Sequence, residues 1–136
     1  MDVNDNAKNA KKDNQKFDWI TERSACTLPR VFATLRRQVE EDVKTRNSLR
    51  PNYAPYEFSL AEDIDEFKVL LQANDVQRSV TFKLNGQAIS VIDDQNNPMF
   101  QVTVTFNDQG ECKLHANERE REYWQVRQMA LENLLF

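Results

Sequence analysis

Apolar and polar residues alternate with a period of two in several segments between residues 56 and 116. Successive side chains of a β-strand point to opposite faces, so a segment of this kind forms a strand with one apolar and one polar face. In the clearest example, apolar residues alternate with glutamine and threonine over residues 100–106. The same pattern predicts an antiparallel meander of six strands, over residues 56–60, 67–72, 76–84, 88–92, 100–106 and 112–116.

Turn-forming residues separate these predicted strands. The sequence Leu84-Asn85-Gly86-Gln87 predicts a two-residue turn, because Asn and Gly tolerate the positive φ angles that such a turn requires. Asn107–Gly110 predicts a further hairpin. An acidic hairpin is predicted between the first two strands, and its tip contains Glu62, Asp63, Asp65 and Glu66.

Helices are predicted on both sides of the strands. After Pro29, apolar residues recur at intervals of one, three and four positions, which places them on one side of an amphipathic helix that ends near Arg46. Proline suits the first turn of a helix. Before it, a short helical turn capped by Asp18 is expected, and at the other end Asn117 is expected to cap a helix over residues 118–136.

These elements predict one α+β domain. A chain of 136 residues suits a single domain. Because one face of the sheet is apolar, both the N-terminal and the C-terminal helix are expected to pack on that face. Residues 1–16 contain almost no apolar side chain that could be buried, so they are expected to form a disordered polar tail before a domain of residues 17–136.

The composition excludes several kinds of site. The only glycines are Gly86 and Gly110, whereas a dinucleotide-binding or phosphate-binding loop needs several. The only histidine is His115, and with Cys26 and Cys112 it cannot supply four zinc ligands. No metal and no cofactor are therefore expected.

Catalytic residues are also not apparent. Cys112 and His115 are three residues apart in a predicted strand, so their side chains point to opposite faces. No nucleophile, base and orienting group are seen to converge, which predicts a protein that is not an enzyme. The segment Asp93–Pro98 has acidic residues, but it lacks the Gly and Glu of a calcium-binding loop and is better explained as a hairpin.

The cysteines and the hydropathy indicate a location. Cys26 and Cys112 could in principle pair, but a chain of this length builds a core without a disulfide, so free thiols in a reducing compartment are expected. No segment approaches the roughly 20 apolar residues that span a bilayer. An intracellular, cytoplasmic protein that is not bound to a membrane is the prediction from the residues alone.

The charge indicates the partners. The formal net charge is −4; residues 1–50 contain 11 Lys and Arg against 8 Asp and Glu, whereas residues 51–136 contain 7 against 14. An acidic surface repels phosphate groups and attracts basic partners. Basic proteins are therefore the predicted partners, and the tip of the acidic hairpin supplies the predicted binding residues.

RNA contact through the basic part of the chain is the alternative function. The residues that would make this contact are Lys11, Lys12, Arg36 and Arg37. Glutamates interleave with the two arginines at helical spacing, which is also typical of an ordinary solvated helix face.

The last predicted helix has more apolar surface than packing on one sheet requires. This surplus predicts a homo-oligomer whose interface contains Trp124, Met129, Leu131 and Leu135. A deeper groove between the two terminal helices of one chain explains the same residues equally well, so both interpretations stay open.

Two segments resemble a known family. Residues 78–85 read RSVTFKLN, and residues 98–110 read PMFQVTVTFNDQG. Together they resemble strands of the mitochondrial glycoprotein family, which includes acidic proteins of the mitochondrial matrix. The resemblance implies a ring-shaped homotrimer with a twisted antiparallel sheet and terminal helices on one side. It also implies a matrix location and a chaperone-like or scaffold role, without catalysis, towards basic proteins and the mitochondrial ribosome or RNA machinery.

Overall fold

Three helices and one seven-stranded antiparallel sheet make up the computed structural model, which describes residues 17–136. The helices are α1 (Trp19–Ala25), α2 (Leu28–Ser48) and α3 (Tyr123–Leu135). The strands are β1 (Tyr56–Glu62), β2 (Glu66–Ala73), β3 (Val76–Leu84), β4 (Ile89–Asp93), β5 (Pro98–Phe106), β6 (Cys112–Ala116) and β7 (Arg119–Arg121). The α+β class and the antiparallel order are thus confirmed, whereas the predicted tail of residues 1–16 lies outside the described residues.

The sheet is a meander in which each strand pairs with the next one along the chain. Residues that are directly opposite in an antiparallel pair point to the same face. Phe67 is opposite Phe82, and Phe82 is opposite Val91, so the buried residues of neighbouring strands continue one another across the sheet. The alternation in the sequence therefore becomes a single apolar face.

One core lies between this face and the helices. The buried side chains of α2 and α3 belong to the same cluster as those of the sheet. At its centre the ring of Phe67 stacks on Phe82 with centroids 4.6 Å apart, and the ring of Phe32 from α2 lies 5.1 Å from Phe67. Burying each such side chain contributes about 1.5–3 kcal/mol to the free energy of unfolding.

Strand β7 corrects both the predicted strand count of six and the predicted start of the last helix. Asn117 and Glu118 have φ angles of 53° and 65°, and they form a two-residue turn between Ala116 and Arg119. Asn117 therefore does not cap a helix. Helix α3 begins later, where the side chain of Glu122 forms a capping box with Gln125.

The seventh strand also sets the direction of α3. Each antiparallel connection reverses the chain, so an odd number of strands returns α3 in the same direction as α2. Contacts along the two helices agree with this parallel arrangement: Arg127 bonds to Gln38 and Asp42, and further along both helices Arg46 bonds to the backbone of Leu135. Six strands would have brought the helices together in opposite directions.

The turn after β3 is shifted by one residue from its prediction. Gly86 has a φ of 93°, whereas Asn85 keeps a negative φ. The backbone N–H of Asn85 donates to the carbonyl of Ala88, and the Asn85 side chain accepts from the N–H of Ala88. Asn85 and Ala88 are thus the paired residues that close the turn, and Gly86 and Gln87 are its two central residues.

The prediction of free thiols is wrong, because Cys26 and Cys112 form a disulfide across 86 residues of sequence. Cys112 is exposed at the start of β6, with its side chain on the same side of the strand as that of Leu114. There it bonds to Cys26, a buried residue in the connection between α1 and α2. The ring of Phe17 also packs on Gly110 beside this point, where a Cβ would displace the ring. The disulfide thereby fastens the N-terminal segment to the β5–β6 end of the sheet.

Reducing the disulfide is expected to destabilise the fold. A cross-link between distant residues lowers the entropy of the unfolded chain, and losing one typically costs about 2–5 kcal/mol. Urea unfolding with and without dithiothreitol measures the loss. The double variant Cys26→Ser, Cys112→Ser should be as unstable as the reduced protein and indifferent to dithiothreitol; identical unfolding of the native chain in both conditions would contradict the cross-link.

Edge strand β1 is closed by a side chain of α2. The Nδ2 of Asn47 donates to the carbonyl of Phe58 at 2.8 Å, and the Oδ1 of Asn47 accepts from the backbone N–H of Phe58 at 3.0 Å. These are the bonds that a further strand would make at this position. Asn47 thus attaches the end of α2 to the sheet edge.

Asn47→Ala is therefore expected to lower the free energy of unfolding by about 1–3 kcal/mol, because it leaves a partly buried donor and acceptor without partners. Asn133→Ala is the matched control, since Asn133 is exposed on α3 and only its backbone is bonded. Chemical denaturation of both variants provides the comparison. Equal stability of the two would show that the Asn47 bonds contribute nothing.

Candidate binding cleft

An open cleft lies between α2 and α3, with a volume of about 330 Å³. Each helix contributes residues three and four positions apart, which lie on one side of a helix. The lining side chains are Asp42, Thr45, Arg46 and Leu49 from α2 and its end, and Trp124, Arg127, Gln128, Leu131, Glu132, Leu135 and Phe136 from α3 and its end. The parallel direction of the helices brings these two stripes together.

Arg127 holds the two helices at one end of the cleft. Its Nε donates to Asp42 Oδ2 and its Nη1 donates to Gln38 Oε1, both at 2.7 Å. Both charged side chains are largely covered, at 20% and 31% exposure, so this pair is less screened by water than a surface ion pair. Nearby, burial raises the pKa of the Tyr123 phenol above its usual value, although the Thr34 hydroxyl and the charge of Arg37 oppose the rise.

Arg46 joins α2 to α3 at the other end of the cleft. Its Nε donates to the carbonyl of Leu135 at 2.7 Å, and its guanidinium lies 5.0 Å from the ring centroid of Phe136, 5.1 Å from that of Phe58 and 5.7 Å from that of Tyr56. Cation–π contacts of this kind fix the orientation of the guanidinium. Within residues 17–136 its two Nη groups have no hydrogen-bond acceptor.

A second hollow of about 350 Å³ adjoins the cleft at Arg46. Leu135 and Phe136 also line both hollows. Arg78 enters from β3, and its Nη1 donates to the carbonyl of Asn133 at 3.4 Å. Arg46 thus lies where the two hollows meet.

The residues predicted for an oligomer interface occupy different environments. Trp124 is 56% exposed at the rim of the cleft, whereas Leu131 and Leu135 are buried in the core and form its floor. Met129 is partly buried against the core and does not line the cleft. The groove within one chain is therefore present, and self-association stays a prediction.

The acidic hairpin lies apart from the cleft. Glu62, Asp63 and Asp65 are exposed, and Glu66 is half-buried opposite Lys83 on the neighbouring strand. Ile64 at the tip is 84% exposed. The carboxylates are presented to solvent and not in a pocket, which suits an electrostatic contact but not acid–base catalysis.

The predicted RNA-contacting residues are only partly described. Arg37 is exposed and Arg36 half-buried on α2, while Lys11 and Lys12 lie outside the described residues. Glu41 forms an ion pair with Lys44 on the same helix at 3.8 Å. The positive side chains of α2 are thus interspersed with negative ones and do not form a continuous track.

The residues considered for catalysis or metal binding lie apart from one another. His115 Nε2 lies 2.9 Å from the hydroxyl of Thr105 on the outer face of the sheet, away from Cys112, whose sulfur is in the disulfide. Among residues 17–136, no three His, Cys, Asp or Glu side chains are placed so that they could hold a metal ion. In the same range, none of the helices has the length and apolar character needed to cross a membrane.

The importance of Arg46, Asn47 and Arg127 was not predicted from the sequence. In the sequence Arg46 marks only the expected end of the amphipathic helix, and Arg127 lies among both apolar and polar residues of the last helix. The sequence offers one signal for such residues, which is an arginine or asparagine on the partly apolar side of a helix. It does not identify their hydrogen-bond partners, because these lie 11 to 89 residues away in the sequence.

Comparison of the chain with models of known protein families, with curated proteins and with solved structures finds no match. The relation to the mitochondrial glycoprotein family therefore stays a prediction based on residues 78–85 and 98–110.

Proposed function

We propose that the chain is a non-enzymatic protein-binding module, and that the cleft between α2 and α3 takes an apolar side chain of the partner protein. The observation that carries the proposal is an open cleft with a floor of buried leucines and an exposed tryptophan at its rim. Tryptophan is enriched among the residues that contribute most to protein–protein affinity, because it provides a large rigid surface with a polar edge.

The geometry of the cleft supports binding without rearrangement. Arg127 and Arg46 hold the helices together at its two ends through bonds of 2.7 Å. A cleft that exists before binding costs less ordering entropy than one that forms on binding. Its volume of about 330 Å³ is at the lower end of the range for ligand pockets, which suits one or two side chains.

The acidic hairpin supports a preference for basic partners. It presents three exposed carboxylates around the exposed Ile64. Such a group attracts cationic segments over distances of about 10 Å at moderate ionic strength. The partner is thus a protein with basic character that also offers an apolar side chain to the cleft.

Trp124→Ser is expected to weaken peptide binding. Random peptides displayed on phage and selected on the full chain should carry an apolar residue, and their affinity should fall by about tenfold or more in this variant, as at a typical binding hot spot. Calorimetry of synthetic copies measures the change. Trp19→Ser is the matched control, because it removes a similarly exposed tryptophan, 61% against 56%, that lies on α1 outside the cleft.

Two results would contradict the proposal. One is a set of selected peptides whose affinity depends on Trp19 but not on Trp124. The other is a dimer or trimer in light scattering that Trp124→Ser converts to a monomer, since a second copy would then cover the cleft.

Neutralising the acidic hairpin is expected to weaken binding of a short oligolysine peptide several-fold at low salt, with the difference disappearing at high salt. The variant is Glu62→Gln with Asp65→Asn, and the control is Asp94→Asn with Asp108→Asn, which removes the same charge from two other turns. Equal effects of the two variants would assign the attraction to net charge alone.

The location and the trimeric state implied by the family resemblance remain proposals. The disulfide removes the reason for expecting a reducing compartment, because disulfides persist in oxidising ones. RNA contact through Arg36 and Arg37 is the alternative function, and salt-dependent RNA binding that a charge reversal of both arginines abolishes would favour it.

A further inference from the structure

We infer that Arg46 determines the specificity of the cleft, and that the protein segment bound there carries a carboxylate next to its apolar side chain. This inference rests on the proposed binding function and adds the chemistry of the partner.

The guanidinium of Arg46 is only partly used by the chain itself. Its Nε is bonded to Leu135, which leaves the Nη1 and Nη2 groups without an acceptor among residues 17–136. These two groups can donate parallel hydrogen bonds to the two oxygens of one carboxylate. Arginine is the side chain best suited to this planar, paired arrangement.

The guanidinium is also held in place before any ligand arrives. Three aromatic rings, of Tyr56, Phe58 and Phe136, lie within 5.7 Å of it, and the bond to Leu135 fixes its position along α3. Arg46 is half-buried, so an incoming carboxylate meets a charge that is less hydrated than one on the surface. Little further ordering is needed for it to bind an anion.

The other charged side chains around Arg46 favour an anion at this end. Arg127 is neutralised by Asp42 at the far end of the cleft, and the remaining acidic side chain of the lining is Glu132. The adjoining hollow contributes Arg78 and no acidic side chain. Arg46 and Arg78 thus outnumber Glu132 among the charged side chains that line this end of the two hollows, although the whole chain is acidic.

The apolar part of the ligand has a defined place. Leu131 and Leu135 lie at the Arg46 end of the same cleft, because Arg46 bonds to the carbonyl of Leu135 and Leu131 comes one turn before it on α3. An apolar side chain over the leucines and a carboxylate on the arginine would be a short distance apart on one peptide. An anion without apolar surface, such as inorganic phosphate, would use only half of this site.

The test compares N-acetyl-leucyl-phenylalanine with its C-terminal amide, which has the same side chains but no charge. Amide chemical shifts of the full native chain are followed during titration with each probe. The free acid is expected to bind about tenfold more tightly than the amide, with shifts at the α2–α3 cleft, because a hydrogen bond to a charged group exceeds one to a neutral group.

Arg46→Gln should reduce the ratio of the two affinities to about one while the amide still binds, and Arg30→Gln, on the exposed start of α2, should leave the ratio unchanged. If Arg46→Gln fails to fold, the ratio measured on the native chain decides. Equal binding of acid and amide at the cleft would overturn the inference but not the proposed function. Displacement of the acid by equimolar inorganic phosphate, or no binding of either probe, would also overturn the inference. The proposed function is contradicted only if the peptides selected on phage also fail to bind at the cleft.

Discussion

The fold is built on the burial of one face of the sheet beneath α2 and α3. The stacked rings of Phe67 and Phe82 and the ring of Phe32 lie at its centre, where sheet and helix are joined. Because seven strands separate the helices, α3 returns parallel to α2 on this face. The same arrangement that buries the core therefore also brings two helical stripes side by side and creates the cleft.

The cleft combines apolar surface with polar groups that are mostly satisfied within the chain. Arg127 is bonded to Asp42 and Gln38, so its hydrogen bonds join α3 to α2. Arg46 differs, since one nitrogen is bonded to the backbone and the other two face no acceptor among the described residues. This combination of an apolar floor with one incompletely bonded arginine is the basis of the proposed binding of an apolar segment that carries a carboxylate.

Local pattern predicted most of the fold, because burial on one face leaves a direct trace in the sequence. The stripe of α2 and the alternation over residues 100–106 are both found as expected. Strand β7 was missed because Glu118, Glu120 and Glu122 resemble the acidic first turn of a helix, although their spacing of two also fits a strand. The positive φ angles of Asn117 and Glu118 show that these residues form a turn, which leads into strand β7 and not into a helix.

Interactions between distant residues could not be predicted in this way. The pairing of Cys26 with Cys112 depends on how the N-terminal segment meets the start of β6, and nothing in their spacing encodes it. The surplus of apolar residues on the last helix was recognised, but only the fold shows that Leu131 and Leu135 are buried while Trp124 is exposed. For the same reason Arg46 could be identified as basic but not as the residue that joins two hollows.

The α2–α3 cleft is the proposed binding surface of the protein. The most direct measurement is a map of amide chemical-shift changes on the full chain when a peptide selected for binding is added. The largest changes are expected in residues 42–49 and 124–136, with the outer face of the sheet unaffected. Changes confined to that outer face, around Thr105 and His115, would contradict the proposal.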